Sequence, residues 1–530
     1  MSEGGPPEKT VPAALHSQVA TRPRATFLEC GPTTLSYEAF DTRSDALAAA
    51  LADRGVGHGD HVCLYLYNSS TYLLLSMALA KLGAVMVPID TRFTGESLAT
   101  VFDQVDSRAV FVDDRTRDSY ESLDRSPGAM EFFVGEDPPT GRYEPFDALQ
   151  TPSTTTPPTA SVTPTDPLSV IFVQPTPGAS PKGVVLPQYA YVNTGWEASE
   201  HLFAFGPEDR ILTSLPLYSV FTYQIGVMGA LTAGGTVVLL EEFIPEDFWP
   251  ATIDAEASVF LYLSRMLAVL DTPSRRERYA DNPVRLAIGH SLGFGADETL
   301  IKDFEAHFDV TVLEGYGTTQ VATIATYNRV DDRRIGTVGK PVSHVAIDIV
   351  DEDGWSLPRG ETGEIVVRPT RNNTMMQGYH GDPDATVADW QDQWIHTGDS
   401  GYIDEDGYLV FVASEENSIY RGRVASRISA LEIEEVINTH PAVDTSVVVG
   451  VSTDAGPEEI AAVVVPTADL TPIEVYRHCE ERLPYVKTPR YIAIRETLPR
   501  TPTGKVRHRT LADIDTDELW DRSDGYEFSR

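Results

Sequence analysis

Lysine is scarce in this chain. Only seven of 530 residues are lysine (9, 81, 182, 302, 340, 487 and 505), although lysine and arginine together number 41. Arginine therefore carries most of the positive charge, and 79 acidic residues outnumber it to leave a formal net charge of −38. A surface this acidic repels nucleic acid and anionic lipid, which excludes both as partners. Cysteine is nearly absent as well. Cys30, Cys63 and Cys479 lie far apart and are odd in number, so neither a disulfide framework nor a zinc site is expected. That usage fits a reducing, cytoplasmic interior. The opening MSEGGPPEKTVPAALHSQ lacks a basic start followed by an apolar run, so it does not read as a signal peptide. Long apolar runs are also missing. The longest charge-free one, Ile225 to Leu240, holds four glycines and is short for a membrane span. It reads as a helix, a Gly234-Gly235 turn and a buried strand, so no membrane insertion is expected.

What the chain does have is enough apolar content to fold, 42% hydrophobic with 9% aromatic, spread over a length that suits one large domain and a smaller one. Ser36 to Arg54 is predicted helical, with Phe40, Leu47 and Leu51 on one face and Gly55 as its stop. Val62 to Tyr67 reads as a strand, Ser70 to Leu82 as a helix ended by Gly83, and Ala84 to Ile89 as the next strand. This βαβ rhythm implies a parallel sheet. TPSTTTPPTASVTPTDP (151–167) is of low complexity and is expected as a surface loop. A second α/β region is expected from Leu168 to about Asn328. From Gly336 to Val412 short alternating strands take over, with DEDG at 351–354 and again at 404–407. A small α+β unit follows, with helices near 431–438 and 472–482 and strands near 447–451 and 461–465. The fold class is thus α/β with several subdomains: two α/β sheet units plus a β-rich unit in a large N-terminal domain, and a small α+β C-terminal domain.

Several segments, in order, resemble the adenylate-forming superfamily. YGTTQ (316–320) is similar to its YGxTE motif and WIHTGD (394–399) to WxxTGD, while GTVGKP (336–341) and GETGEIVV (360–367) resemble its β-unit signatures. LPRTPTGKV (498–506) follows the C-terminal LPRTxxGK almost letter for letter, and LSYEAFDTRSDALAAALADRGVGHGD (35–60) is similar to the family's opening. The resemblance spans roughly the whole chain, and its C-terminal half is nearest to carnitine/crotonobetaine-type CoA ligases. It implies an AMP-forming acyl-CoA synthetase using ATP, Mg²⁺ and CoA, with an adenylation domain over 12–414, a mobile C-terminal domain over 415–510 and an acidic tail over 511–530.

The chemistry so implied joins a carboxylate to the α-phosphate of ATP and then transfers the acyl group to a thiol. Bringing a carboxylate beside a triphosphate calls for a cation between them. By resemblance that cation is Lys505, with Thr319 donating to the α-phosphate. Tyr316 would stack on adenine beside Gly317 and Thr318, and Asp399 would accept from both ribose hydroxyls, which suits a carboxylate's paired oxygens. The chain also departs from the pattern. The phosphate loop, near TSGTTGxPKG in the family, reads QPTPGASPKG (174–183) here. Lys182 and Gly183 remain and Thr176, Gly178 and Ser180 can compensate in part, but Pro175 and Pro177 each remove an N–H. Gln320 replaces the glutamate that holds Mg²⁺, forfeiting charge attraction to a hard dication. Ser414 stands in place of a ribose-contacting arginine, and Ser219 in place of a histidine guarding the acyl pocket. Glu416 falls at the hinge. The loop 419–429, with Arg421 and Gly422 near the implied CoA tunnel, is about two residues longer than its family counterpart.

Two other readings stay open. A homologue that has lost adenylation would run only the thioester-forming half or act as a scaffold. GHSLG (289–293), after a predicted strand at 284–288, fits a GxSxG nucleophile elbow with Ser291 as nucleophile of a hydrolase. The acid used, the choice between CoA and a carrier-protein thiol, and the oligomeric state, a homo-oligomer included, are not legible. Acid surplus with scarce lysine fits a halophilic, salt-adapted protein. Activity and thermal stability are accordingly expected to rise with molar KCl, where the screening length falls to about 3 Å and repulsion among carboxylates is damped. A protein fully folded and fastest at tens of millimolar salt overturns this.

Overall fold

The computed structural model describes residues 4–123, 128–136, 139, 141–149, 161–173, 180–290, 298–351, 353–413, 418–421, 426–453, 456–483, 487–498, 511, 516 and 519–522. The predicted early elements are present. A helix runs over Tyr37–Asp53; Ser36 caps it by accepting from the Ala39 N–H at 3.1 Å, and Phe40, Leu47 and Leu51 are buried. The helix Ser70–Leu82 ends at Gly83, whose φ of +67° is costly for any residue with a Cβ.

Among the described residues the N-terminal domain holds three sheets. The nine-stranded one has a parallel centre ordered Thr236–Leu239, Arg210–Thr213, Val259–Leu263, Leu286–His290, Thr311–Tyr316. It is flanked on one side by Thr26–Cys30 with Thr33–Ser36 and on the other by Thr326–Tyr327 with Lys340–Pro341. Its central strands are apolar almost throughout because helices cover both faces. The eight-stranded sheet runs Gly378–Tyr379, Lys182–Pro187, Pro167–Val173, Val85–Pro88, His61–Tyr65, Ser107–Asp113, Gly128–Val134, Glu144–Pro145. The two α/β units therefore exist, but they are not consecutive in sequence. The hairpin at residues 26–36 joins the later strands, and Pro167–Val173 with Lys182–Pro187 joins the earlier ones. Alternation and apolarity mark a strand without naming its sheet, so sequence order is a poor guide to partnership here.

The β-rich unit is a five-stranded sheet of Val345–Val350, Gly363–Pro369, Trp390–Gln391, Trp394–Ile403 and Leu409–Ala413. Both DEDG segments make the same turn: Asp351 and Asp404 accept side-chain bonds from backbone N–H groups two and four residues on, and Gly354 and Gly407 take φ of +82° and +87°. The small C-terminal unit packs the helices Ala430–Asn438 and Pro472–Glu480 against a sheet containing Val443–Thr453, Gly456–Pro466 and Tyr491–Ile494. Within the stretch read as an acidic tail, Leu511 and Leu519 are buried and Trp520–Asp521 adds an edge strand. Apolar residues this sparse in an acidic segment gave no periodic signal. The segment 419–429, read as a long loop, includes a two-stranded hairpin of Ser418–Arg421 and Ser426–Ser429. No helix among the described residues is long and apolar enough to cross a membrane.

One buried ionic contact fastens the β-rich unit to the sheets. Glu197 ends the helix Gln188–Glu197 fully buried and accepts from the Ser343 N–H at 3.0 Å and the Ser343 hydroxyl at 2.7 Å. The His344 Nδ1 lies 3.8 Å from the same carboxylate, too far for a hydrogen bond but close enough to act by charge. Burial pushes the Glu197 carboxyl up; His344 and the Ser343 donors outweigh it and hold the group at about 2. A carboxyl so depressed contributes stability above its unfolded value and loses it as pH falls toward the folded one. Glu197→Gln is expected to cost about 1–3 kcal/mol at pH 7, read as a lowered Tm. The gap between the two proteins should narrow as the pH drops below the ordinary glutamate value of 4.5. A gap that ignores pH assigns the loss to shape rather than charge.

Candidate active site

The carboxyl ends of the parallel strands share one edge, and the strand Thr311–Tyr316 delivers the first site residues there. Gly317 follows in a tight turn: a Cβ on it would sit 2.0 Å from the Thr323 carbonyl oxygen, so only glycine fits. Thr318 and Thr319 accept backbone bonds within that turn from Thr323 and Ala322. Ala322 and Thr323 take φ of +53° and +75°, and such a conformation in a buried, β-branched threonine is strain of the kind that gathers at functional sites.

Tyr316 and Asp399, 83 residues apart, meet here: the phenol donates to Asp399 Oδ2 at 2.7 Å. Burial, then the Asp399 charge, holds the phenol well above the ordinary tyrosine range, so it remains a donor. The Tyr316 ring is 5% exposed and packs against Phe411 at 5.8 Å. On the other side Asp399 is held by its strand. The Thr397 hydroxyl donates to the Ile365 carbonyl at 2.6 Å and accepts from the Asp399 N–H at 3.1 Å, and Glu364 accepts from the Gly398 N–H at 3.0 Å.

The remaining described residues centre on Tyr379, which the sequence reading missed. Its hydroxyl donates to Asp389 Oδ2 at 2.5 Å and accepts from Gln320 Nε2 at 3.0 Å. A phenol has one proton, and Asp389 holds it. The amide must therefore present its NH₂ to Tyr379, which turns Gln320 Oε1 away from that ring. The Lys182 ammonium lies 4.9 Å from the Tyr379 ring centroid, so lysine and glutamine bracket one aromatic side chain. Nothing local in MQGYHGDPDAT marks Tyr379; its strand pairing with Lys182–Pro187 brings it in.

The other predicted positions are distributed less simply. Ser180 is exposed beside the strand Lys182–Pro187. Gly183 has a packing reason to be glycine, since a Cβ would come within 2.7 Å of Val170 Cγ1. Ser219 opens a helical segment, its carbonyl accepting from the Tyr223 N–H at 3.1 Å. Gly178, Ser414, Glu416, Gly422 and Lys505 lie outside the described residues, as do Pro175, Thr176, Pro177 and the side chain of Arg421. Ser291 lies outside them too, and Gly289 of the GHSLG segment is fixed by the Tyr262 ring, 2.2 Å from where a Cβ would stand. Among the described residues no cluster of three or more His, Cys, Asp or Glu side chains is placed to hold a metal.

A sequence profile described as "AMP-binding enzyme" matches residues 15–380, and one described as "AMP-binding enzyme C-terminal domain" matches 432–505. The chain belongs to the AMP-binding enzyme family. A crotonobetaine/carnitine–CoA ligase of Citrobacter koseri is 30% identical over 489 residues, covering 90% of this chain and 92% of that protein. The ATP-bound structure of MatB from Rhodopseudomonas palustris is 26% identical with a TM-score of 0.84, covering 95% of this chain and 99% of that one. An anthranilate CoA ligase, AuaEII, solved with anthranoyl-AMP, shares the fold at a TM-score of 0.83 and 21% identity, over 96% of this chain and 97% of that one. The family is that of adenylate-forming acyl-CoA ligases, and nothing in the comparisons speaks for the serine-hydrolase alternative.

For Mg²⁺ the donor set of this ligase fits only weakly. Gln320 Oε1 is a neutral oxygen free to face a hard cation, and the nearest carboxylate in its network, Asp389, sits behind Tyr379. Gln320→Glu would set a second carboxylate against a phenol whose proton Asp389 already takes. Without divalent cation it should lower Tm by about 2 °C or more, and Mg²⁺ with ATP should recover the loss. Unchanged melting in both conditions contradicts the hydrogen-bond order assigned to Tyr379.

Proposed function

We propose that this ligase carries out both half-reactions of its family: it activates a small carboxylic acid as an acyl-adenylate with release of pyrophosphate, then transfers the acyl group to CoA. The observation that carries this reading is the Tyr316–Asp399 pair at the carboxyl edge, with Lys182 and Gln320 gathered on Tyr379. Nucleoside recognition needs a carboxylate pinned at a fixed height for the ribose diol, and Asp399 is so pinned. Phosphate recognition needs a cation on the loop strand, and Lys182 is that cation. In this reading Thr318 and Thr319 face the α-phosphate, with Gly178, Ser180 and Gly183 completing the loop. Gln320 would be a weak ligand for Mg²⁺, which when bound would supply neutralisation of phosphate charge. Lys505 bridges the acid and the α-phosphate. Ser414 lies by the ribose, Arg421 and Gly422 by CoA, and Glu416 is the hinge between an adenylation domain (12–414) and a mobile domain (415–510). The protein works in the cytoplasm on small molecules.

The altered loop and Gln320 favour one second reading, in which only the thioester-forming half survives. Lys505→Ala separates the two. ATP–pyrophosphate exchange, measured over a panel of acids in high salt, should fall about 10²- to 10³-fold when the bridging cation is lost. Acyl transfer from supplied acyl-adenylate should stay near the parent rate, because domain rotation carries this lysine away. Equal loss in both assays gives Lys505 another role, and no exchange by the parent with any acid leaves the half-reaction reading.

A further inference from the structure

Ser219 belongs to a second group of side chains at the same edge. It follows the strand Arg210–Thr213, which lies three strand positions from Thr311–Tyr316 in the parallel sheet. At the usual strand spacing that is a lateral offset of about 14 Å, which a nucleotide laid across the edge from Tyr316 spans before its acyl group begins. The turn carrying it is rigid: Asn68 donates to the Leu215 carbonyl at 2.9 Å and accepts from the Leu217 N–H at 2.8 Å.

Beyond Ser219 the chain winds as a π-helix over Thr222–Val227, a rare form that is frequent at functional sites. Helical spacing puts Ser219, Thr222 and Gly226 on one face, and a Cβ at Gly226 would come within 2.9 Å of Leu261 Cδ1. This face therefore looks onto the strand Val259–Leu263 and is closed by Leu261 about one turn past Thr222. Thr222 is fully buried, and its Oγ1 has no hydrogen-bond partner. A buried hydroxyl left unpaired is costly by about 1–3 kcal/mol, and in native proteins such a group calls for a ligand or a water.

We infer that Thr222 is a specificity-determining residue of the acyl site, and that this ligase takes short acids whose acyl chain carries a hydrogen-bonding group such as a hydroxyl, in preference to alkyl acids. The closure at Leu261 sets the length and the unpaired Thr222 hydroxyl sets the polarity. This rests on the ligase reading above and names its substrate class.

The experiment is ATP–pyrophosphate exchange by the full chain with 3-hydroxybutyrate, butyrate, octanoate and a 4-trimethylammonio acid. 3-Hydroxybutyrate should exceed butyrate by about tenfold or more in kcat/KM, since a site built around a hydrogen bond rejects the analogue lacking it. Octanoate should be the poorest. Thr222→Val keeps the volume and removes the hydroxyl, so it should erase that preference, whereas Thr222→Ser should retain it. Melting curves show whether either variant is folded, and Thr222→Ser alone tests the idea if valine is not tolerated. A preference for butyrate or octanoate, preferential use of the trimethylammonio acid, or a preference indifferent to Thr222→Val overturns the proposal. If no acid supports exchange, it is the adenylating reading that has failed. Equilibrium dialysis of the same acids with AMP present then decides: hydroxy-acid binding that Thr222→Val abolishes upholds the site, and no such binding overturns it, leaving a water as the partner of Thr222.

Discussion

Parallel pairing is the constraint on which the rest of this molecule depends. The strands Val259–Leu263, Leu286–His290 and Thr311–Tyr316 run in one direction, with Leu261, Ile288 and Leu313 abreast. Each must return through a crossover, so every segment leaving a carboxyl end emerges at the same edge. Tyr316 is delivered there by the nine-stranded sheet, Asp399 comes from the β-rich sheet, and Lys182 and Tyr379 come from adjacent strands of the eight-stranded sheet. Each sheet supplies one side of the site. The Glu197–Ser343 contact matters for the same reason, since it fixes the approach to the β-rich sheet relative to a helix of the parallel layers.

Local signals in the sequence were reliable where the structure is decided locally. Ser36 as a cap, Gly83 as a stop and the two DEDG turns need only a few neighbouring residues, and the structure has them in place. The motif residues Tyr316, Gly317 and Asp399 were legible through resemblance, and the Gly317 turn shows the steric reason for one of them. Sheet membership was not legible. The strand Pro167–Val173 is largely apolar, as the central strands of the nine-stranded sheet are, and only the three-dimensional path assigns it to the other. Tyr379 and Asp389 were invisible for a related reason. Their role arises from one hydroxyl shared across three segments, and no residue type or spacing announces a shared proton.

The departures from the family pattern sort by the kind of force they affect. In the proposed reading sugar recognition relies on hydrogen-bond geometry, and Asp399 is fixed by Tyr316 and Thr397. In the same reading phosphate recognition relies on charge, and there the sequence offers a neutral Gln320 and prolines in place of donors. These changes belong with the −38 net charge. A triphosphate approaching such a surface meets repulsion that a single Lys182 does not cancel at low ionic strength, whereas in concentrated salt that repulsion is screened beyond a few ångströms.

The loss of a carboxylate at position 320 is also less complete than the substitution suggests. Asp389 stands one hydrogen bond behind Tyr379, whose hydroxyl it polarises while that hydroxyl accepts from Gln320. A unit charge withdrawn from direct coordination at about 2 Å to a place behind both the phenol and the amide, about four times farther, keeps only about a quarter of its Coulomb attraction at the same effective dielectric, since the energy falls with the inverse of distance. Its desolvation cost is lower, because the Tyr379 hydroxyl already satisfies one of its oxygens. In the proposed reading, the cluster would offer a dication a weaker field spread through a phenol and an amide in place of a direct carboxylate ligand. Such an arrangement lowers the hold on a free dication more than the hold on one delivered with its phosphates, because the phosphates bring their own negative charge to the ion.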